Sequence, residues 1–296
     1  MTGSPTPAGL SRMVKIVTDS SAYFTDPAFA RQHDVRVLPL HLRLGRQTLA
    51  EPDLTSEQLF EQLGPDGPAP ILEPPAPEAF AAVFEDLARV TDQIIAIHFS
   101  GKLSRVPQNA RAGADFLLGR CQIHVLDSLS ASIGLGGLVE LAAQAAERGA
   151  SADEIVKAVR GQIPRLYGVF FTERMEYLAQ ARHVGRAHAA LGEMLGIRPC
   201  LALEEGDLVP MEKVRTRAQA IEKLVEFVVE FSAIERCAIL QPSARPTADT
   251  RALVEQLAVE FPGRRWPILP YGPSLAALLG PEAMGVLIQE GAAADD

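Results

Sequence analysis

Three short segments gather residue types that can do chemistry. Val17-Thr18-Asp19-Ser20-Ser21, Ser100-Gly101-Lys102-Leu103-Ser104 and Asp127-Ser128 each follow a β-rich apolar run. In a parallel α/β layer such strand ends share one edge, where ligands commonly bind. The small residues of the second segment let backbone N–H groups and a hydroxyl approach an anion. It is not a phosphate loop, because the upstream glycine is missing and no Ser or Thr follows Lys102. His98 lies two residues before Ser100 and shares its strand face. That pairs a hydroxyl with a base but supplies no orienting acid, so it is not a triad. Ser and Asp are also ordinary helix caps and turn formers, their commoner use.

Other reactive types are scattered. His183 and His188 are five apart and do not share a helical face as an i, i+4 metal pair would. Cys121, Cys200 and Cys237 are isolated and lack the close spacing of a zinc site, so they read as thiols in a reducing compartment and no metal or cofactor is expected. Arg182, His183, Arg186 and His188 form a local positive patch, either a solvated helix end or a docking place for a partner. Met175, Met194 and Leu195 suit an adaptable apolar cavity or simple core packing.

The elements that must position these residues alternate. Strands are expected at Met13 to Thr18, Val35 to Leu42, Gln93 to His98 and Gln122 to Leu126. Between them, Ser56 to Leu63, Pro77 to Val90 and Pro107 to Leu118 carry helical spacing, with Pro77 and Pro107 suited to first turns. A helix over Gly134 to Arg148 ends at Gly149, and Ser151 caps the next. The pattern changes near Ile163. A strand at Tyr167 to Phe171, a helix at Glu173 to Gln180 and a hairpin turning at Glu205-Gly206-Asp207 follow. Helices at Ala218 to Phe231 and Thr247 to Glu260, and strands at Cys237 to Gln241 and Pro267 to Leu269, complete a second α/β lobe. The proline-rich stretch Gly64 to Pro77 reads as an extended linker. The expected organisation is a loose extension over 1–13, an N-terminal α/β lobe with a parallel sheet over 14–163 and a C-terminal lobe with a mixed sheet over 164–296.

Composition supports this. The 296 residues are 47% apolar and 22% charged, ordinary globular values at a length that favours two lobes. A formal net charge of −9 leaves no broad basic surface for nucleic acid. No apolar run reaches the roughly 20 residues of a membrane span, so a cytoplasmic protein with at most transient membrane contact is expected.

Taken in order, the motifs resemble the DegV family from about Val14 to Ile288. Thr18-Asp19-Ser20 is similar to its opening T-D-S, and Asp127-Ser128-Leu129-Ser130-Ala131-Ser132-Ile133-Gly134-Leu135-Gly136 resembles its D-S-x-S-A-S-x-G-L-G segment. Glu176-Tyr177-Leu178, the run from Leu191 to Pro199 and the run from Val209 to Arg217 look like the second-lobe signature. Tyr271-Gly272-Pro273 and Gly280-Pro281 match the closing segment in spacing. The resemblance implies two α/β lobes enclosing one long-chain fatty acid or related lipid, with its head group near the lobe interface. It also implies a carrier that does not itself catalyse, presenting that head group to a partner such as a fatty-acid kinase.

The chain departs from the family pattern at several polar positions. Leu72-Glu73 stands where the family has T-S, Gly101 and Arg105 alter its S-S-x-L-S-G-T, Leu278 replaces a histidine, and Ala181-Arg182-His183 replaces G-G-R. By the resemblance, head-group binding falls to Ser100, Gly101, Lys102 and Arg105, with Glu73 opposing a carboxylate. Leu72, Met175, Leu178 and Leu278 are the implied pocket walls, and Arg182, His183 and Arg186 the partner-docking residues. Two rival readings remain: an enzyme acting on a small anionic substrate at Asp19, Ser100 and Asp127, and an interaction protein without a ligand.

Overall fold

The computed structural model describes residues 13–64, 67–180 and 198–291. Strands β1 (Lys15–Asp19), β2 (Arg36–Leu38), β6 (Gln93–His98) and β7 (Gln122–Asp127) make a parallel sheet in the order β2-β1-β6-β7. Five of the six β6 residues are buried, as expected of a strand covered on both faces. The covering helices come in packed pairs, α3 (Pro77–Leu87) with α4 (Val106–Asp115) and α5 (Ser132–Glu147) with α6 (Ala152–Gln162). Prolines occupy the first turns of α3 and α4, and α6 starts with a reciprocal Ser151–Glu154 capping box.

The run expected as one strand over Val35 to Leu42 divides. Pro39 has no N–H to give a ladder, so β2 ends at Leu38 and the chain leaves for a second sheet. That sheet, in the order β4-β3-β5, joins β3 (His41–Leu44) and β4 (Gln47–Ala50) to β5 (Ile71–Glu73). The proline-rich stretch is therefore not only a linker: its three residues without proline, Ile71 to Glu73, pair antiparallel with β3. Helix α1 (Phe29–Gln32) is a single turn, and α2 (Ser56–Leu63) is fixed by a Thr55–Gln58 capping box.

After the 3-10 turn Ile163–Arg165 the chain enters a six-stranded mixed sheet. Its strands are β8 (Leu166–Phe171), β9 (Arg198–Glu204), β10 (Asp207–Val214), β11 (Ile234–Gln241), β12 (Ile268–Pro270) and β13 (Met284–Glu290), in the order β10-β9-β8-β13-β11-β12. β13 is a strand that sequence periodicity does not announce. Its core, Gly285-Val286-Leu287-Ile288, is buried on both faces and shows no alternation. Helices α7 (Met175–Gln180), α8 (Arg217–Val229), α9 (Ala248–Glu260) and α10 (Pro273–Leu279) complete the described chain.

Strand periodicity splits the six-stranded sheet into two faces. Val169, Phe171, Ala202, Ile239, Val286 and Ile288 join a core with Leu224 of α8 and Leu253 of α9. Their neighbours Phe170, Leu201, Leu203, Leu240 and Leu287 join the core of the parallel lobe, which includes Ile94, Phe80 and Leu135. One face is thus closed by its own helices, and the other forms an apolar seam between the lobes.

Candidate functional site

The parallel register brings the ends of β1, β6 and β7 together and places His98 opposite Asp127. Asp19 and His98 are both fully buried, with Nδ1 of the ring 3.0 Å from Oδ2 of the carboxylate. The same oxygen accepts the Phe99 N–H, while Oδ1 accepts the hydroxyl and N–H of Ser21. Asp19 therefore has its acceptor capacity filled by its own lobe. His98 packs edge-on against Phe80, and its Nε2 has no hydrogen-bond partner among the described residues.

Ser100 is turned elsewhere. Its N–H donates to Ser130 O, and its hydroxyl donates to Gly206 O at 2.6 Å and accepts from Lys102 N–H at 3.2 Å. Gly206 is the tip of the β9–β10 hairpin, a two-residue turn with Glu205 at φ +48° and Gly206 at φ +83°. Both left-handed angles suit the twist of a hairpin. A Cβ at Gly206 would lie 2.5 Å from Ser100 Oγ and 3.0 Å from Leu129 Cα, so the second lobe's hairpin seats tightly on the first lobe's strand-end loop. Asp127 accepts the Gly101 N–H at 3.1 Å and the Leu129 N–H at 3.0 Å. Of the backbone donors that the sequence suggested for an external anion, the Gly101 N–H is thus occupied by an internal carboxylate and the Lys102 N–H by the Ser100 hydroxyl. A hydroxyl, a histidine and an acid converge here without being linked as nucleophile, base and orienter.

Of the other expected head-group residues, Lys102 and Arg105 are exposed on this loop, and neither forms an ion pair among the described residues. Glu73 pairs with Arg43 at 2.6 Å, which neutralises the charge expected to oppose a carboxylate. The expected pocket walls lie at the seam. Helix α10, carrying buried Leu278, packs on both α7 and β5, the elements that carry Leu178 and Leu72. Leu72, Leu178 and Leu278 belong to one apolar cluster. Met175 is the first residue of α7, but its side chain lies outside the described residues, as do Arg182, His183, Arg186, His188, Met194 and Leu195.

Glu51 is a buried group that no local sequence pattern announced. It accepts Ser20 Oγ–H at 2.5 Å and the Ser274 N–H at 2.8 Å, fastening the start of α10 to the first lobe. Desolvation raises its pKa above the ordinary carboxylate value, and the Ser20 and Ser274 bonds partly oppose that shift. Nearby, Ser56 Oγ–H donates to Tyr271 O, a second tie across the seam. Among the described residues no cluster of three or more His, Cys, Asp or Glu could hold a metal, and no helix is long and apolar enough to cross a membrane.

A parallel lobe and a mixed-sheet lobe sharing one apolar seam, with their polar strand ends locked internally, define a two-lobed α/β protein. The chain belongs to the DegV family, whose model, described as "Uncharacterised protein, DegV family", matches residues 13–291. It is 30% identical over 282 residues to a DegV domain-containing protein of Streptomyces coelicolor, covering 94% of this chain and 99% of that one. A DegV family protein from Thermus thermophilus, solved for its fatty acid binding, superposes with a TM-score of 0.82 at 25% identity, covering 94% of this chain and all of that one. The fatty acid kinase B3 protein of Streptococcus pneumoniae, solved loaded with linoleic acid, has the same fold at 21% identity and a TM-score of 0.76, covering 94% of this chain and all of that one.

Proposed function

We propose that this protein binds one long-chain fatty acid or related lipid at the seam between lobes 14–163 and 164–296 and presents its head group to a partner such as a fatty-acid kinase. The observation that carries the reading is the seam itself. Phe170, Leu201, Leu203 and Leu240 on one side, and the parallel lobe on the other, form a single apolar core. Each CH₂ of an acyl chain sequestered there contributes about 0.8 kcal/mol, so few polar contacts are needed for tight binding. The fatty acids bound by the Thermus and pneumococcal relatives support this ligand class. Leu72, Met175, Leu178 and Leu278 are the proposed walls. Ser100, Gly101, Lys102 and Arg105 form the proposed head-group loop, with the two cations best suited to a carboxylate because the neighbouring N–H groups are already engaged. Arg182, His183 and Arg186 are the proposed docking residues for the kinase.

A carrier role without catalysis is favoured over turnover of a small anion. The Asp19–His98 couple is fully buried, and the Ser100 proton goes to Gly206 rather than to His98. The test is native mass spectrometry of the purified chain, followed by extraction and identification of what travels with it. One fatty acid per chain is expected. Purification without lipid, together with no uptake of added oleate, would overturn the reading.

A further inference from the structure

The open edge of the parallel sheet is a surface that the lipid reading leaves unused. Among the described residues, β7 ends its sheet and pairs with β6 alone. Gln122 N–H donates to Asp92 O at 2.8 Å, and Ser128 N–H donates to His98 O at 3.1 Å. By the two-residue alternation of a ladder, the N–H and C=O groups of Ile123 and Val125 point away from β6. They have no hydrogen-bond partner among the described residues. They open onto a cleft of about 370 Å³ lined by Arg111, Asp115 and Leu118 on the α4 side, and by His124 and Arg160 on the α6 side.

The two flanks of this edge differ. Ile123 and Val125 share the face of Asp127, the face on which α4 packs, and there Leu118, 78% exposed, lines the cleft together with Arg111 and Asp115. His124 lies on the opposite face, with Arg160. Arg111 and Arg160 form no ion pair among the described residues. Unpaired edges invite an added strand, and proteins usually blunt them with charge. Here the charge at the rim is mainly cationic, on a chain of net charge −9, which selects an acidic visitor.

We propose that the β7 edge accepts an extended acidic segment of a partner protein as an added strand. The segment alternates apolar side chains, laid over Ile123, Val125 and Leu118, with carboxylates directed to Arg160 and His124. Its backbone completes the free N–H and C=O groups of Ile123 and Val125. A second copy of this chain fits less well, because it brings its own Arg111 and Arg160 to the same edge, cation against cation. The inference does not depend on a lipid at the seam.

The probe is a capped peptide of about seven residues, the length of an ordinary strand, in which valine alternates with glutamate. Added to the full chain, it is expected to slow amide hydrogen exchange at Ile123 and Val125. Its affinity is expected to fall about tenfold in Arg160→Glu, through loss of a charge-assisted contact. A peptide with lysine in place of glutamate is expected not to bind. Three results would each overturn the proposal: no protection of those amides by millimolar peptide, equal binding of the lysine peptide, or protection that rises with protein concentration in the absence of peptide. The last would assign the edge to a second copy.

Discussion

The two faces of the six-stranded sheet are built from neighbouring residues of the same strands, yet they have different partners. Phe171 faces α8 and α9 and lies under the guanidinium of Arg217, in a core that its own lobe closes. Phe170, one residue earlier, enters the core of the parallel lobe. The first face is sealed by local connections. The second is sealed by another lobe through a shared apolar core, supplemented by polar ties such as Glu51 to Ser274, Ser56 to Tyr271 and Ser100 to Gly206. An alkyl chain seated between two lobes leaves each lobe's own sheet and helices in place, whereas one under α8 and α9 would have to displace the lobe's own helices.

Phe171→Ala and Phe170→Ala break this comparison most strongly. Each removes a fully buried ring, and each is expected to cost about 3–5 kcal/mol of unfolding free energy in urea. They are expected to part when oleate is added. Phe171→Ala should keep the oleate-dependent rise in stability expected of wild type, and Phe170→Ala should lose much of it. If Phe171→Ala remains folded and is the variant that loses the rise, the lipid belongs to the helix-covered face.

Gly206→Ala sharpens the comparison at the tie itself. The position has φ +83°, and a methyl group there would meet Ser100 Oγ at 2.5 Å. Strain of this kind is expected to cost about 1–3 kcal/mol, measured as a lowered urea midpoint. Wild-type stability in this variant would mean that the hairpin tip does not bear on the first lobe.

Where the sequence is legible, the reason is local. The Ser151 cap, the first-turn prolines and the Glu205-Gly206 turn each follow from one residue's backbone chemistry, and each stands in the structure. β13 was hidden because a strand buried on both sides lacks the period-two signal, and β5 because prolines surround its three residues. Of the polar site, the strand-end placement of Asp19, Ser100 and Asp127 could be read from the α/β alternation. The partners could not. Asp19 meets His98 and Ser100 meets Gly206 across 79 and 106 residues, and only strand register and lobe docking decide such pairs. The register gives a retrospective signal for the first: parallel neighbours ending together put Asp19 beside His98. Nothing in the sequence around Glu51 points to Ser274.

Ser100→Ala carries the smallest expected effect and separates two uses of one hydroxyl. The change removes the donor to Gly206 O and the acceptor of Lys102 N–H. A cost of about 0.5–1.5 kcal/mol is expected. Measured by unfolding without lipid, that cost reports the tie between lobes; measured as oleate affinity, it reports a head-group contact. In the structure the proton is committed to Gly206, so the loss is expected in stability. An equal loss in oleate affinity requires the hydroxyl to leave Gly206 when the lipid enters, which would make the hairpin tip and the head group alternative partners of Ser100. If affinity stays unchanged while stability falls, Ser100 belongs to the seam's fastening, and Lys102 and Arg105 are left to meet the head group.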